Sequence, residues 1–197
     1  MSVPGAVRFR RAFLAANKRP GRLAFILSRY RFGEACGPDL IARVVPSIHD
    51  LGLKRICLRQ ACDEATHCAL LTRRVEQLGH DPEAYQPSEI NRAILGRELM
   101  TDDPLEFYAK LRAYEAHFAQ LCALHHECVT DPAIKRTLGR ILSDERRHLR
   151  MCDAVIERLA TTPARRRAVE ELQQRIDAMV TEREAQEYGP VFAGENE

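Results

Sequence analysis

The chain contains one pattern of glutamate and histidine twice, and the second copy lies 81 positions after the first. In each copy, a Glu is followed thirty residues later by a second Glu that begins a Glu-x-x-His motif. Composition alone would give about 0.6 Glu-x-x-His pairs by chance. The two copies are Glu34, Glu64 and His67, and Glu115, Glu145 and His148. This repeat indicates a fold in which two equivalent segments form one site.

Apolar residues recur at helical spacing in four long segments, and no segment sustains the alternation of a strand. The sequence therefore predicts an all-α fold. The predicted long helices cover about residues 22–45, 47–78, 104–129 and 132–160. A short helical pattern covers 89–99, with Ser88 as its N-cap. Two helical hairpins joined by a long crossover are the layout of a ferritin-like four-helix bundle.

The two Glu residues of each copy are equally distant from a predicted turn. The midpoint between Glu34 and Glu64 is His49, and the corresponding midpoint of the second copy is Thr130. Residues equidistant from the turn of an antiparallel hairpin lie at the same height. We therefore expect each upstream Glu to face the Glu-x-x-His motif of its own hairpin across the core.

The motif residues fall on the apolar faces of their helices, which indicates that four carboxylates are buried. Ionised carboxylates are rarely buried without a compensating charge. Two metal ions bound by four carboxylates and two imidazoles would supply that charge, and such ligands favour iron or manganese. The expected cofactor is two iron ions, with manganese or a mixed iron/manganese pair as alternatives. The simpler alternative is that these Glu residues are exposed helix charges.

Segments 63–67 (Asp-Glu-Ala-Thr-His) and 144–148 (Asp-Glu-Arg-Arg-His) resemble the Asp-Glu-x-x-His motifs of di-iron carboxylate proteins in the ferritin-like superfamily. The resemblance covers about residues 22–160. It implies that Glu64 and Glu145 are bridging, catalytic ligands and that Glu34 and Glu115 are terminal ligands. His67 and His148 would be the imidazole ligands. Asp63 and Asp144 would accept hydrogen bonds from the imidazole N–H groups. Bacterioferritin and demethoxyubiquinone hydroxylase have similar motif layouts.

Glu34 is the least secure of these ligands because Pro38 follows it by four residues. Proline cannot donate to the Glu34 carbonyl and disturbs the helix at that turn. The helix could continue through an irregular turn or end there, and in the second case Asp39 would be the nearest substitute ligand. Tyr30 shares the face of Glu34, where it could form a hydrogen bond at the metal site or only fill the core.

The segments outside the predicted bundle receive simpler interpretations. Residues 1–21 are expected to form a basic, solvated arm, and residues 189–197 a loose tail. Residues 161–188 should form a fifth amphipathic helix, packed on the bundle or on a second subunit.

Seven cysteines, an odd number without a Cys-x-x-Cys motif, favour reduced thiols and a cytoplasmic location. A net charge of +2 gives no strong nucleic-acid or membrane signal.

The leading functional hypothesis is a di-iron oxidoreductase that activates oxygen, as a hydroxylase or oxidase. Its expected partners are dioxygen or peroxide, a small-molecule substrate that the sequence does not identify, an electron donor and a second copy of the chain. One alternative is a ferroxidase or peroxide-consuming protein. Another is a helical interaction module without metal.

Overall fold

The computed structural model describes residues 6–193, with side chains up to residue 189. Within this range all regular secondary structure is helical and there is no strand, which confirms the all-α prediction. None of the described helices is both long enough and apolar enough to cross a membrane. The seven helices are α1 (Ala6–Ala16), α2 (Pro20–Val44), α3 (Leu51–Gln77), α4 (Glu89–Ala93), α5 (Pro104–Cys128), α6 (Pro132–Leu159) and α7 (Pro163–Ala193).

Four helices, α3 to α6, begin where short polar side chains accept hydrogen bonds from the first backbone N–H groups. Asp50, Asp103 and Asp131 cap α3, α5 and α6 in this way. The Ser88 side chain accepts from the N–H of Asn91, which confirms the predicted cap of α4. The α4 helix ends in a π-helical turn, Ile94–Glu98, where the sequence predicts a continuous helix to residue 99.

The long helices pack in two pairs. Helix α2 lies along α3, and α5 lies along α6, while α3 and α6 contact each other and join the pairs. The crossover that contains α4 and the π-helical turn connects α3 to α5. This arrangement brings the residues of both sequence copies to one region of the core.

Helix α2 is continuous through Pro38, because it extends from Pro20 to Val44 with the proline inside it. The alternative in which the helix ends at that turn is therefore wrong. Glu34 is buried and Asp39 is exposed, so the structure does not place the substitute ligand in the core.

Residues 6–16 and 189–193 are helical, where the sequence predicts a solvated arm and a loose tail. Residues 6–16 belong to the expected solvated arm, but they form α1, which buries Phe9, Ala12, Phe13 and Ala16. These residues occupy positions i, i+3, i+4 and i+7, which lie on one face of a helix and form an apolar stripe. Helix α7 packs along α5 and runs to Ala193, beyond the predicted end at residue 188. Residues 1–5 and 194–197 lie outside the described part of the chain.

Candidate metal centre

The structure brings all six repeated Glu and His residues into one buried cluster. The first pair of long helices contributes one set of three residues, and the second pair contributes the other. The exposed fractions are 3% for Glu34, 5% for Glu64, 0% for His67, 4% for Glu115, 0% for Glu145 and 0% for His148. The alternative that these carboxylates are exposed helix charges does not hold.

The side chains form two overlapping groups that could hold metal ions. One group contains Glu34, Glu64, His67 and Glu145, and the other contains Glu64, Glu115 and His148. Within each group the candidate ligand atoms all lie within 4.8 Å of one another. Such a group of carboxylate oxygens and imidazole nitrogens can bind a metal ion.

Both imidazoles direct Nδ1 toward the carboxylates. His67 Nδ1 lies 3.1 Å from Glu34 Oε2 and 3.4 Å from Glu145 Oε1. His148 Nδ1 lies 3.1 Å from Glu64 Oε1 and 3.6 Å from Glu145 Oε2. The two oxygens of Glu145 therefore face different histidines, and Glu64 belongs to both groups. These two carboxylates are placed between the two halves of the cluster.

The outer nitrogen of each histidine faces an aspartate from the opposite motif. His67 Nε2 lies 3.1 Å from Asp144 Oδ2, and His148 Nε2 lies 3.4 Å from Asp63 Oδ2. The Arg147 guanidinium contacts both aspartates, at 2.8 Å from Asp63 and 2.7 Å from Asp144. An aspartate at Nε2 favours a proton on that nitrogen, which leaves Nδ1 free to accept. The sequence motif contains Asp63 and Asp144 but does not reveal this crossed pairing.

Three of the four carboxyls are held toward their protonated form. Burial raises the pKa of Glu34 well above 4.5, and the charges of Glu64 and Glu145 add to this effect. Burial also raises the pKa values of Glu115 and Glu145, again helped by neighbouring carboxylates. Burial acts in the same direction on Glu64, but its contacts with His148 and Glu34 lower its pKa overall. Repulsion between carboxylates is therefore a defining property of this cluster.

Several buried atoms of the cluster lack a hydrogen-bond partner among the described residues. They are Glu34 Oε1, both carboxylate oxygens of Glu145, and His148 Nδ1. Leaving such groups unpaired costs about 1–3 kcal/mol each. Cations between these atoms would satisfy the acceptors and remove the repulsion between the carboxylates. The donor set therefore fits a buried metal site.

Two neighbours of the cluster were not among the predicted site residues. The Gln60 side chain is fully buried, and its Nε2 lies 3.3 Å from Glu115 Oε1 and 3.5 Å from Glu64 Oε1. Gln60 precedes Glu64 by one helical turn on the same face, so its position could be read from the sequence. A Cβ atom on Gly37 would lie 2.9 Å from Glu64 Cγ, so the absence of a side chain at Gly37 makes room for Glu64.

Tyr30 and the inner cysteines lie in the apolar core. The ring of Tyr30 makes edge contacts with Phe118 and His125, and burial raises the pKa of its hydroxyl well above 10.0. No described hydrogen bond joins Tyr30 to the six repeated residues, so its predicted role at the metal site stays a prediction. The seven cysteines are free thiols, and Cys57, Cys122 and Cys152 are fully buried.

A cavity adjoins the cluster and is lined by Glu34, Glu64 and Glu115. Gly33 and Gly37 of α2 also border it. The cavity has a largely apolar wall made by Leu40, Leu95, Leu99, Leu111, Phe118 and Leu121. A small molecule in this cavity would therefore lie beside three of the carboxylates.

Comparison with known proteins does not assign the chain to a family. No protein-family model matches it, and no curated protein matches it as a relative. The functional interpretation therefore depends on the residues and their geometry.

Proposed function

We propose that the chain binds two metal ions in this cluster and acts as a di-iron oxidoreductase that activates oxygen, with the architecture of the ferritin-like superfamily. The observation that carries the proposal is the burial of four carboxylates and two imidazoles in two overlapping groups. Burying four mutually repelling carboxyls destabilises a protein unless cations compensate them. Two cations would also satisfy the unpaired oxygens of Glu34 and Glu145.

Each residue of the cluster has a role under this proposal. Glu64 and Glu145 would contribute to the binding of both ions, because each lies near both halves of the cluster. The remaining ligands would bind one ion each, as the pairs Glu34 with His67 and Glu115 with His148. Asp144 and Asp63 would fix the imidazoles, with Nε2–H donated outward and Nδ1 directed to the metal.

Two bound ferrous ions would supply electrons for the reduction of dioxygen. The protein's own residues hold the ligands rigidly and exclude bulk water, since all six ligands are at most 5% exposed. In a hydroxylation the substrate C–H bond would supply the other two electrons, and an external donor would have to return two electrons to the iron ions after each turnover. The apolar cavity beside Glu34, Glu64 and Glu115 favours an organic substrate over iron as the substrate.

Anaerobic loading with ferrous iron tests the proposal. We expect about two iron ions per chain, and an absorption band of a bridged di-ferric centre after exposure to oxygen. Glu145→Gln should bind less than half of the wild-type iron, whereas Glu157→Gln, an exposed site on the same helix, should bind the wild-type amount. Circular dichroism should show that both variants remain helical.

The outcome separates the alternatives. Less than a tenth of an equivalent of iron or manganese per chain would contradict metal binding and favour the interaction module. Rapid oxidation of added ferrous iron with accumulation of ferric mineral in a large oligomer would favour the ferroxidase. Oxygen consumption that depends on an added organic compound would support the proposed oxidoreductase.

A further inference from the structure

The cavity beside the cluster has a polar side that metal binding does not explain. Arg29, Asn91, Tyr114 and Arg183 line this side, and they come from α2, α4, α5 and α7. The other lining residues are mainly leucines and the carboxylates described above. The cavity therefore combines an apolar wall with a small number of polar groups, as ligand sites do.

On this polar side, Arg183 has unused hydrogen-bonding capacity. The residue is 4% exposed, and its Nη2 donates a hydrogen bond to Glu184 Oε1 at 2.8 Å. Nη1 makes a long contact of 3.5 Å with Asn91 Oδ1, and the guanidinium lies over the ring of Tyr114. The Nε–H group makes no hydrogen bond to any residue within the described range. A buried donor without a partner calls for an explanation, and a bound ligand supplies one.

The charges around Arg183 are already balanced. Arg29 pairs with Glu184 and Glu187, and Arg183 pairs with Glu184, so two cations face two anions. Glu187 also accepts hydrogen bonds from Tyr85 and Ser88. An additional anion would therefore gain no net attraction and would be repelled by Glu184. An uncharged oxygen suits the single N–H donor better.

We propose that this cavity binds a small uncharged molecule with an apolar body and one oxygen that accepts a hydrogen bond from Arg183 Nε. The apolar body contacts the leucine wall, and the oxygen fixes the orientation of the molecule. The inference extends the proposed function by naming the chemical class of its substrate. The binding itself depends on Arg183 and the leucines and does not require a metal.

Fluorine NMR with three probes tests the proposal on the full chain. The probes are fluorobenzene, 4-fluorophenol and 4-fluorobenzoate, which share a ring and differ in the polar group. We expect 4-fluorophenol to bind about tenfold more tightly than fluorobenzene because of one hydrogen bond. We expect 4-fluorobenzoate to bind more weakly than 4-fluorophenol. This ranking is measured on the wild-type chain and needs no variant to fold.

Two variants locate the binding site. Arg183→Met should lower the affinity for 4-fluorophenol to that for fluorobenzene and leave fluorobenzene unchanged. Arg167→Met, at an exposed position of the same helix, should change neither affinity. Equal affinities of wild-type protein for the phenol and fluorobenzene, preference for the benzoate, or no binding of any probe would overturn the proposal.

Metal loading separates this proposal from the proposed function. Paramagnetic manganese in the cluster should broaden the fluorine signal of bound 4-fluorophenol, whereas zinc should not. A chain that binds no manganese but keeps the probe ranking contradicts the metal site alone. A chain that binds manganese but none of the probes contradicts the cavity proposal alone.

Discussion

His67 Nε2 lies 3.1 Å from Asp144 Oδ2, although the two residues are 77 positions apart and belong to different pairs of helices. The equivalent contact joins His148 to Asp63. The cluster is therefore held by contacts that cross between the two helix pairs, and Arg147 connects the two aspartates. The orientation of each imidazole depends on residues of the opposite half.

The crossed aspartates should determine metal affinity. Asp144→Asn replaces an anionic acceptor by an amide, so we expect the affinity for manganese or zinc to fall 10–100-fold. Asp153→Asn removes a carboxylate from the outer side of the same helix, where it pairs with Arg112, and should leave the affinity unchanged. Competition with a chromogenic chelator measures both variants. An unchanged affinity in Asp144→Asn would show that the aspartate does not orient His67.

Gly37→Ala should disturb the cluster. The new Cβ would lie 2.9 Å from Glu64 Cγ, and overpacking of this kind costs about 1–3 kcal/mol of unfolding free energy. Metal affinity should fall as well, because Glu64 must move. Gly96→Ala is the matched control, since a Cβ there meets nothing within 4 Å. Urea unfolding and metal titration of both variants measure the effects, and equal behaviour of the two would count against the close approach of Gly37 to Glu64.

The metal-free protein should lose stability as the pH rises from 5 to 8. The folded-state pKa values of Glu34, Glu115 and Glu145 lie above the unfolded value of 4.5. At pH values between 4.5 and the raised folded-state pKa values, the folded state binds more protons than the unfolded state. The free energy of unfolding therefore falls as the pH increases. Burial lowers the pKa of His67. Burial also acts to lower the pKa of His148, but the contact with Glu64 raises that pKa overall. The two imidazoles therefore affect the pH dependence of stability in opposite directions.

Urea unfolding of chelator-treated protein at pH 5 and pH 8 measures this dependence. Glu145→Gln should reduce the loss of stability, because it removes one of the titrating carboxyls. Saturating manganese should reduce or reverse the loss, since metal ions displace the protons. Greater stability at pH 8 than at pH 5 without metal would contradict the prediction.

Arg29 should be essential for stability. Its guanidinium is buried and pairs with Glu184 at 2.6 Å and also with Glu187. Arg29→Met leaves two buried carboxylates with less compensation, and we expect a loss of about 3–5 kcal/mol in unfolding free energy. Arg10→Met removes an exposed ion pair with Glu127 and should cost far less, because solvent screens such a pair. Urea unfolding compares the two variants, and losses of similar size would show that the Arg29 network is not a stabilising element.

The sequence predicts the helices and the repeated residues well because both depend on local patterns. Asp and Pro residues mark the helix starts, and the left-handed Gly79, with φ of 78°, follows the end of α3. The thirty-residue spacing predicts that each upstream Glu faces its motif, as His67 and Glu34 do at 3.1 Å. These features need only helical periodicity and the position of a turn.

Other features depend on contacts between distant segments and could not be predicted. The charge of the basic residues near the N-terminus conceals the apolar stripe of α1, whose residues Phe9, Ala12, Phe13 and Ala16 pack on the core. Pro38 removes one backbone hydrogen bond, yet packing against α3 keeps α2 helical. The pairing of Arg29 with α7 joins residues more than 150 positions apart, and no local pattern identifies such partners.

The crossed pairing of histidine and aspartate also affects the order of events during protein synthesis. When α2 and α3 leave the ribosome, Glu34, Glu64 and His67 are present, but the acceptor for His67 lies 77 residues further along the chain. In the nascent first half, His67 is therefore not yet oriented by its aspartate. Under the proposed function, selection of a metal ion would take place after α6 has been synthesised and packed, when both imidazoles are fixed.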